Sequence, residues 1–277
     1  MATLVCFHAH PDDESIATGG TMALAAAAGH DVVLVLATRG EHGEPVPGVL
    51  DDGELLWQRR VVETHEAARL LGVGRVDFLD YLDSGMMGEA TNDEPGSFWQ
   101  ADLEVASDRL AAILRAVDAD VLTVYDDHGG YGHPDHIQVH RIGVLAAEKA
   151  GVERVYQSTM NRDLLRRAAE EHGFGADAPE GEAEGAEPAG ATEARRAADE
   201  GFGSPEAIIT HGVDVRPVLD RKREAMQAHA SQIGPESFFL TMAPAVFEVA
   251  FGTEWFIGPG RARADGEPFA PSILDDL

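Results

Sequence analysis

The chain has 277 residues, 44% of them apolar, and carries 49 acidic against 21 basic side chains for a formal net charge of −28. That field repels phosphate backbones and anionic lipid, which disfavours nucleic acid and membrane surfaces as partners, while the length suffices for one domain with a full core. The single Cys6 excludes an intrachain disulfide framework; with no basic leader and no run of ~20 apolar residues, a cytoplasmic protein is expected.

In chain order, residues 4–7 read as a first strand, which ends in His8-Ala9-His10-Pro11-Asp12-Asp13-Glu14. Residues 15–28 follow as a helix, with Gly29 as its C-terminal cap. Residues 32–37 are continuously apolar, the signature of a strand buried on both faces. A glycine-spaced polar loop, Thr38-Arg39-Gly40-Glu41-His42-Gly43-Glu44, leaves that strand. Residues 54–71 read as an amphipathic helix closed by Gly72, and 75–79 as a third strand running into Asp80-Tyr81-Leu82-Asp83-Ser84-Gly85.

A helix over 102–117 and a strand over 120–125 come next. The strand delivers Asp126-Asp127-His128-Gly129-Gly130-Tyr131-Gly132-His133-Pro134-Asp135-His136, a glycine-dense loop. Helix 137–150, strand 154–158 and helix 161–172 complete the regular pattern. Strand-helix alternation of this kind predicts an α/β fold, a Rossmann-like three-layer αβα sandwich around a mainly parallel sheet. Residues 173–204 are Gly, Ala, Glu and Pro with Phe174 and Phe202 as their only aromatics, and read as an acidic low-complexity insertion within the single domain 1–277. Strands are expected again at 207–210 and 246–250, with a helix over 216–229 between them.

The chemistry gathers at two strand ends. Open α/β sheets place their sites at the carboxyl edge. His10 and Asp13 leave the first strand and His136 the loop after the fourth, giving two imidazoles and a carboxylate, a metal-ligand set that keeps positions open for water. Asp12, beside ligand Asp13, is then free to act as a base, and His133 to meet the substrate or a developing oxyanion. Asp135 is placed to orient one of these histidines. A structural zinc site would need more cysteine than Cys6 supplies.

His10-Pro11-Asp12-Asp13-Glu14 together with Gly130-Tyr131-Gly132-His133-Pro134-Asp135-His136 resembles the LmbE/PIG-L family of zinc-dependent N-acetylglucosamine deacetylases, most of all its actinobacterial mycothiol-pathway branch. The resemblance implies a metal-dependent hydrolase with one divalent metal per chain, zinc with iron(II) as the alternative, acting on a small N-acylated glucosamine glycoside. It implies His10, Asp13 and His136 as ligands and Asp12 as general base. His133 would be electrophilic catalyst or general acid supported by Asp135, and Tyr131 a mobile contact to the tetrahedral intermediate. Glu44, Arg60 and Asp83 would contact substrate, and His229 would close over the site from the C-terminal portion. Plainer readings make Arg60 a surface ion-pair residue, Asp83 a turn cap and Glu44 a solvated charge. His8 faces away from His10 by strand alternation and reads as structural or as an outer support of the site rather than as a ligand.

Two alternatives stand beside this. An amidase cleaving a larger acyl group from a glucosaminyl thiol conjugate is disfavoured by Ala17, where the amidase branch has lysine. A nucleotide-binding module would need G-x-G-x-x-G after the first strand, where His-Pro-Asp-Asp stands instead. Whether the chain forms a homo-oligomer, and whether Asp12 or His133 protonates the leaving amine, the sequence leaves open.

Overall fold

The computed structural model describes residues 1–172, 201–260, 263–264 and 266–275. The expected insertion therefore lies outside the described residues except for its last four positions. Seven strands form one sheet in the order β3-β2-β1-β4-β5-β7-β6. They are β1 (Thr3–His8), β2 (Asp31–Thr38), β3 (Arg75–Tyr81), β4 (Val121–Tyr125), β5 (Arg154–Thr159), β6 (His211–Asp214) and β7 (Thr253–Ile257). Strands β1 to β5 pair in parallel, and β7 runs antiparallel to both β5 and β6.

The alternation of side chains along β1 and β2 divides the core in two. Val5, Phe7, Val33 and Val35 face one layer, which is closed by α4 (Leu103–Ala116) and α6 (Pro134–Ala150) through Leu110, Leu114, Val139 and Ile142. Leu4, Cys6, Leu34 and Leu36 face the other. That layer consists of α2 (Gly19–Ala27), α3 (Leu56–Leu71) and α8 (Leu219–Ala228), which contribute Met22, Ala67, Leu71 and Ala225. The α/β three-layer sandwich is as the sequence pattern predicts. Among the described residues no helix is long and apolar enough to cross a membrane.

The departures have local causes. The expected helix 15–28 is two helices, α1 (Asp13–Ala17) and α2, broken at Thr18. The Thr18 hydroxyl is engaged by His8 Nε2 at 2.8 Å, and Glu254 Oε1 and Oε2 take the N–H groups of Gly20 and Thr21 at 2.8 Å each, giving α2 its own start. The strand expected at 207–210 is a 3₁₀ turn, Glu206–Ile208, entered from Pro205; the strand follows it. The strand expected at 246–250 is helical, α10 (Pro244–Phe251), with Pro244 in its first turn; the apolar run there fits either period, and the true strand is β7. The remaining helical segments are α3 to α4 as expected, α5 (a distorted turn, Gly129–Gly132), α7 (Arg162–His172) and α9 (Phe238–Thr241).

Strand order places the site. From β1 the chain passes to β2 on one side, and β4 later pairs with β1 on the other, Leu4 against Val121 through Cys6 against Thr123. The loops leaving β1 and β4 thus flank the point where the winding direction reverses, at which such sheets hold their ligands.

Candidate metal and catalytic site

The β1 loop and the start of α6 meet at one carboxylate oxygen. Asp13 Oδ2 lies 3.3 Å from His10 Nδ1 and 3.3 Å from His136 Nε2, and the His10 backbone N–H donates to it at 2.9 Å. Ligand atoms around a single tetrahedral ion with bonds of ~2.0–2.1 Å stand about 3.3–3.4 Å apart, and the two edges that Asp13 makes match that spacing. His136 Nε2 is buried and has no hydrogen-bond partner among the described residues, as expected of a lone pair kept for a ligand bond. His136 is in the first turn of α6 rather than on a loop, with Pro134 opening the helix, and its ring stacks on Tyr125 at 4.1 Å.

Asp135 supports His10. Its Oδ2 lies 3.0 Å from His10 Nε2 and accepts the Ser84 N–H at 2.9 Å, while Oδ1 takes the Ser84 hydroxyl. The implied carboxylate support of His133 by Asp135 is therefore redirected: the carboxylate holds His10, and only the Asp135 backbone N–H reaches His133, donating to Nδ1 at 3.1 Å. An N–H donated to Nδ1 leaves the imidazole proton on Nε2. Burial, then the neighbouring His10 and His136, push the His133 imidazole down to about 2, so it is neutral and its Nε2–H is a donor. His10, His133 and His136 also offer ligand atoms within 4.8 Å of one another. With one nitrogen accepting and the other protonated, however, His133 has no lone pair for a metal. The set His10, Asp83 and Asp135 is equally close, but its carboxylates face the His10 Nε2 that Asp135 already bonds. The group of His10, Asp13 and His136 differs from both in that the His136 Nε2 facing Asp13 has no hydrogen-bond partner among the described residues.

The charge pattern agrees. Burial alone would depress the His10 imidazole, but Asp83, Asp13 and Asp135 hold it well above its ordinary value. Three carboxylates around it call for a positive charge. Asp83, 3.5 Å from His10 Nε2, is itself held well below the usual carboxylate range: burial opposes this, and His10 and the Gly85 N–H together outweigh it.

Asp12 has φ 99°, left-handed backbone that is rare and strained for a residue with a side chain. Its N–H donates to Glu14 Oε2 at 2.9 Å, and Arg60 approaches its Oδ2 at 3.3 Å. Burial pushes its carboxyl up to about 6, with Arg60 opposing the rise and Asp13 adding to it.

The implied substrate residues divide. Glu44 is exposed on the loop after β2. Asp83 is brought into the cluster, where it also accepts the Gly85 N–H at 2.8 Å, the turn-cap geometry. Arg60 and His229 are not brought to open surface. Arg60 is 3% exposed and donates to the carbonyls of Gly40 and Pro11, behind Asp12. His229 is fully buried, with Nε2 2.6 Å from Glu14 Oε1. Tyr131 sits with its ring 4.9 Å from His136 and 6.1 Å from His133. His8, bonded to the Tyr125 hydroxyl and Thr18, is structural as expected. Sequence reasoning missed Glu14, Ser84 and Tyr125; only Glu14's place beside Asp13 could have signalled one of them.

A family model described as PIG-L, GlcNAc-PI de-N-acetylase, matches residues 5–147, a span that includes His10, Asp13 and His136. The chain is similar to a 1D-myo-inositol 2-acetamido-2-deoxy-alpha-D-glucopyranoside deacetylase of Acidothermus cellulolyticus, with 39% identity over 96% of this chain and 92% of that one. It is similar also to a protein of the same description from Thermobifida fusca, with 36% identity over 91% of each. Its fold is shared by an N,N'-diacetylchitobiose deacetylase from Pyrococcus horikoshii, with a TM-score of 0.55 and 23% identity over 92% of this chain and 83% of that one. The chain belongs to the PIG-L family.

Proposed function

We propose that the chain is a metal-dependent hydrolase that removes the N-acetyl group from an N-acetylglucosaminyl glycoside of inositol, the substrate class named for its relatives from Acidothermus cellulolyticus and Thermobifida fusca. The observation that carries the reading is Asp13 Oδ2 standing 3.3 Å from both His10 Nδ1 and His136 Nε2, with Asp12 next to it in sequence. A divalent cation held by His10, Asp13 and His136, zinc by the nature of the donors, would supply Lewis acidity toward water and the amide carbonyl.

The chain's own groups do the rest. Asp12, ionised above about pH 6, accepts the proton of the attacking water. His133 presents Nε2–H to the carbonyl oxygen as it gains negative charge, and being neutral it stabilises by hydrogen bonding rather than by proton transfer. Tyr131, whose ring lies beside both histidine rings, donates to the same oxygen in this reading. Protonated Asp12 then returns its proton to the nitrogen as the C–N bond breaks, giving acetate and the free amine. Asp83, at the cluster's edge, is offered to sugar hydroxyls.

The test is acetate release from N-acetylglucosaminyl inositol by protein of known metal content. Turnover is expected to vanish on chelation and return with zinc. Asp12→Asn should lose about 10²–10⁴-fold in kcat at unchanged metal content. Acetate release that survives chelation, or an Asp12→Asn variant with full turnover, rules the mechanism out.

A further inference from the structure

At the end of β4 a second buried carboxylate lies outside the catalytic set. Asp126 is 1% exposed. Its Oδ1 accepts the Gly130 N–H at 2.6 Å, and its Oδ2 accepts the hydroxyls of Thr159 at 2.6 Å and Ser204 at 3.2 Å. His128 Nδ1 stands 3.3 Å from Oδ1. One side chain therefore joins the glycine loop, the end of β5 and the chain at residue 204.

The same two segments bond each other directly. The Gly203 N–H donates to the Gly130 carbonyl at 2.7 Å, and His128 Nε2 lies 3.2 Å from the Gly203 carbonyl. Arg162 fixes the approach, donating from Nε to the Phe202 carbonyl at 3.0 Å and from its terminal nitrogen to that of Gly203. Ser204 N–H donates to the Met160 carbonyl at 2.9 Å, and Arg162 N–H to the Ser204 carbonyl at 3.0 Å. Both polar ends of Gly130 are thus tied, N–H to Asp126 and C=O to Gly203. Tyr131 is the next residue, and its ring lies 6.5 Å from that of Phe202 on one side and 4.9 Å from His136 on the other.

A glycine-dense turn has no intrinsic preference for one conformation. Gly130 takes φ 74° with ψ −48°, outside the helical values of its own turn. Something outside the turn must select it, and the two bonds to Gly130 are what the fold provides.

We propose that Asp126 is a positioning residue: through Gly130 and the docked residues 202–204 it sets where Tyr131 stands over the His133–His136 pair. The proposal rests on the reading that Tyr131 acts on the reacting amide. It makes residues 202–204 part of the active-site wall rather than the tail of an insertion.

Kinetics and amide hydrogen exchange on the full, metal-loaded chain test it. Asp126→Ala is expected to lower kcat about tenfold or more, because ångström displacements of a reacting group cost up to ~10²-fold, with KM and metal content near wild type. Exchange should speed up at residues 129–132 and 201–204 together. Asp126→Asn keeps an oxygen for the Gly130 N–H and an amide the two hydroxyls can meet, and should restore turnover to within about threefold. Gly203→Ala reaches the coupling from the other side. Its Cβ would stand 2.4 Å from the Met160 carbonyl oxygen at φ 63°, so it should displace the segment and lower kcat similarly.

In a Tyr131→Phe background, Asp126→Ala should cost less than about twofold. A loss of equal size in both backgrounds, or unchanged exchange at 201–204, overturns the proposal while the deacetylase reading stands. A wild-type chain that releases no acetate overturns that reading instead, and the exchange data still decide whether Asp126 couples the two segments.

Discussion

His229 Nε2 and Glu14 Oε1 lie 2.6 Å apart with neither side chain exposed, although 215 residues separate them in the chain. Glu14 Oε2 in turn accepts the Asp12 N–H. The C-terminal end of α8 is therefore wired to the strained backbone of Asp12, the proposed base, through one carboxylate. Removing the imidazole leaves that carboxylate buried against the Ser15 hydroxyl and the Asp12 amide only. Breaking such a pair from one side typically costs ~3–5 kcal/mol. His229→Leu should destabilise by about that much in urea unfolding, while His229→Gln, which retains an N–H donor, should cost less. Equal stability of the Leu variant and the wild type would show that the pair carries no folding energy.

The same pair predicts a pH dependence. Burial would lower the His229 pKa, but Glu14 overrides it and holds the imidazole above its ordinary value of 6.5. A group raised on folding contributes its stability in full below the unfolded pKa and loses it as pH rises through the folded pKa. The stability difference between wild type and His229→Gln should therefore be largest near pH 6 and shrink toward pH 9. Urea unfolding at both pH values checks this; a difference that grows with pH contradicts it.

One of the chain's two lysines is buried: Lys222 Nζ lies 2.6 Å from Glu254 Oε1, with exposures of 1% and 3% for the two residues. Glu254 also accepts the Gly20 and Thr21 N–H groups at the start of α2. A buried ion pair can often be exchanged for apolar residues without loss. Here the exchange would leave two helix N–H groups without acceptors, each costing ~1–3 kcal/mol. Lys222→Met/Glu254→Leu should thus remain destabilised by about 2 kcal/mol or more in denaturant unfolding. A double variant as stable as wild type would show that solvent or backbone shifts satisfy α2 without Glu254.

These relationships mark what the sequence could reveal. That His10, Asp13 and His136 come together was legible because they lie on the connections leaving β1 and β4, and parallel strands deliver their carboxyl ends to one edge. Arg60 and His229 were legible as residue types but not as positions. A charged side chain on a helix gives no sign whether it faces the cleft or, as here, the back of the neighbouring loop. Glu254 carries no local signal, since its partners Gly20, Thr21 and Lys222 come from distant elements, and Asp126 shows in the sequence only its nearness to Gly130, not its bonds to Thr159 and Ser204. The strands near 207–210 and 246–250 were misplaced because short apolar segments there take their conformation from Pro205, Pro244 and the pairing of β7, not from their own periodicity.

In the proposed site, Asp135 separates metal holding from chemistry. Its carboxylate reaches His10 Nε2 and both donors of Ser84, so it fixes the ring orientation that turns Nδ1 toward Asp13. Asp135→Asn removes the negative charge and places an N–H donor at one of the two oxygen positions, each of which now faces a donor. It leaves the backbone N–H to His133 in place. Carboxylates that hold a ligand histidine are worth about 10–100-fold in metal affinity. Competition against a chromogenic chelator should show zinc bound that much more weakly by Asp135→Asn, whereas Asp12→Asn, next to a ligand but not supporting one, should bind zinc within about threefold of wild type. If excess zinc restores Asp135→Asn to near wild-type turnover, its carboxylate acts on the metal site through His10. If turnover stays low at full metal occupancy, the carboxylate acts in the chemical step, and the assignment of Asp135 to His10 alone is wrong.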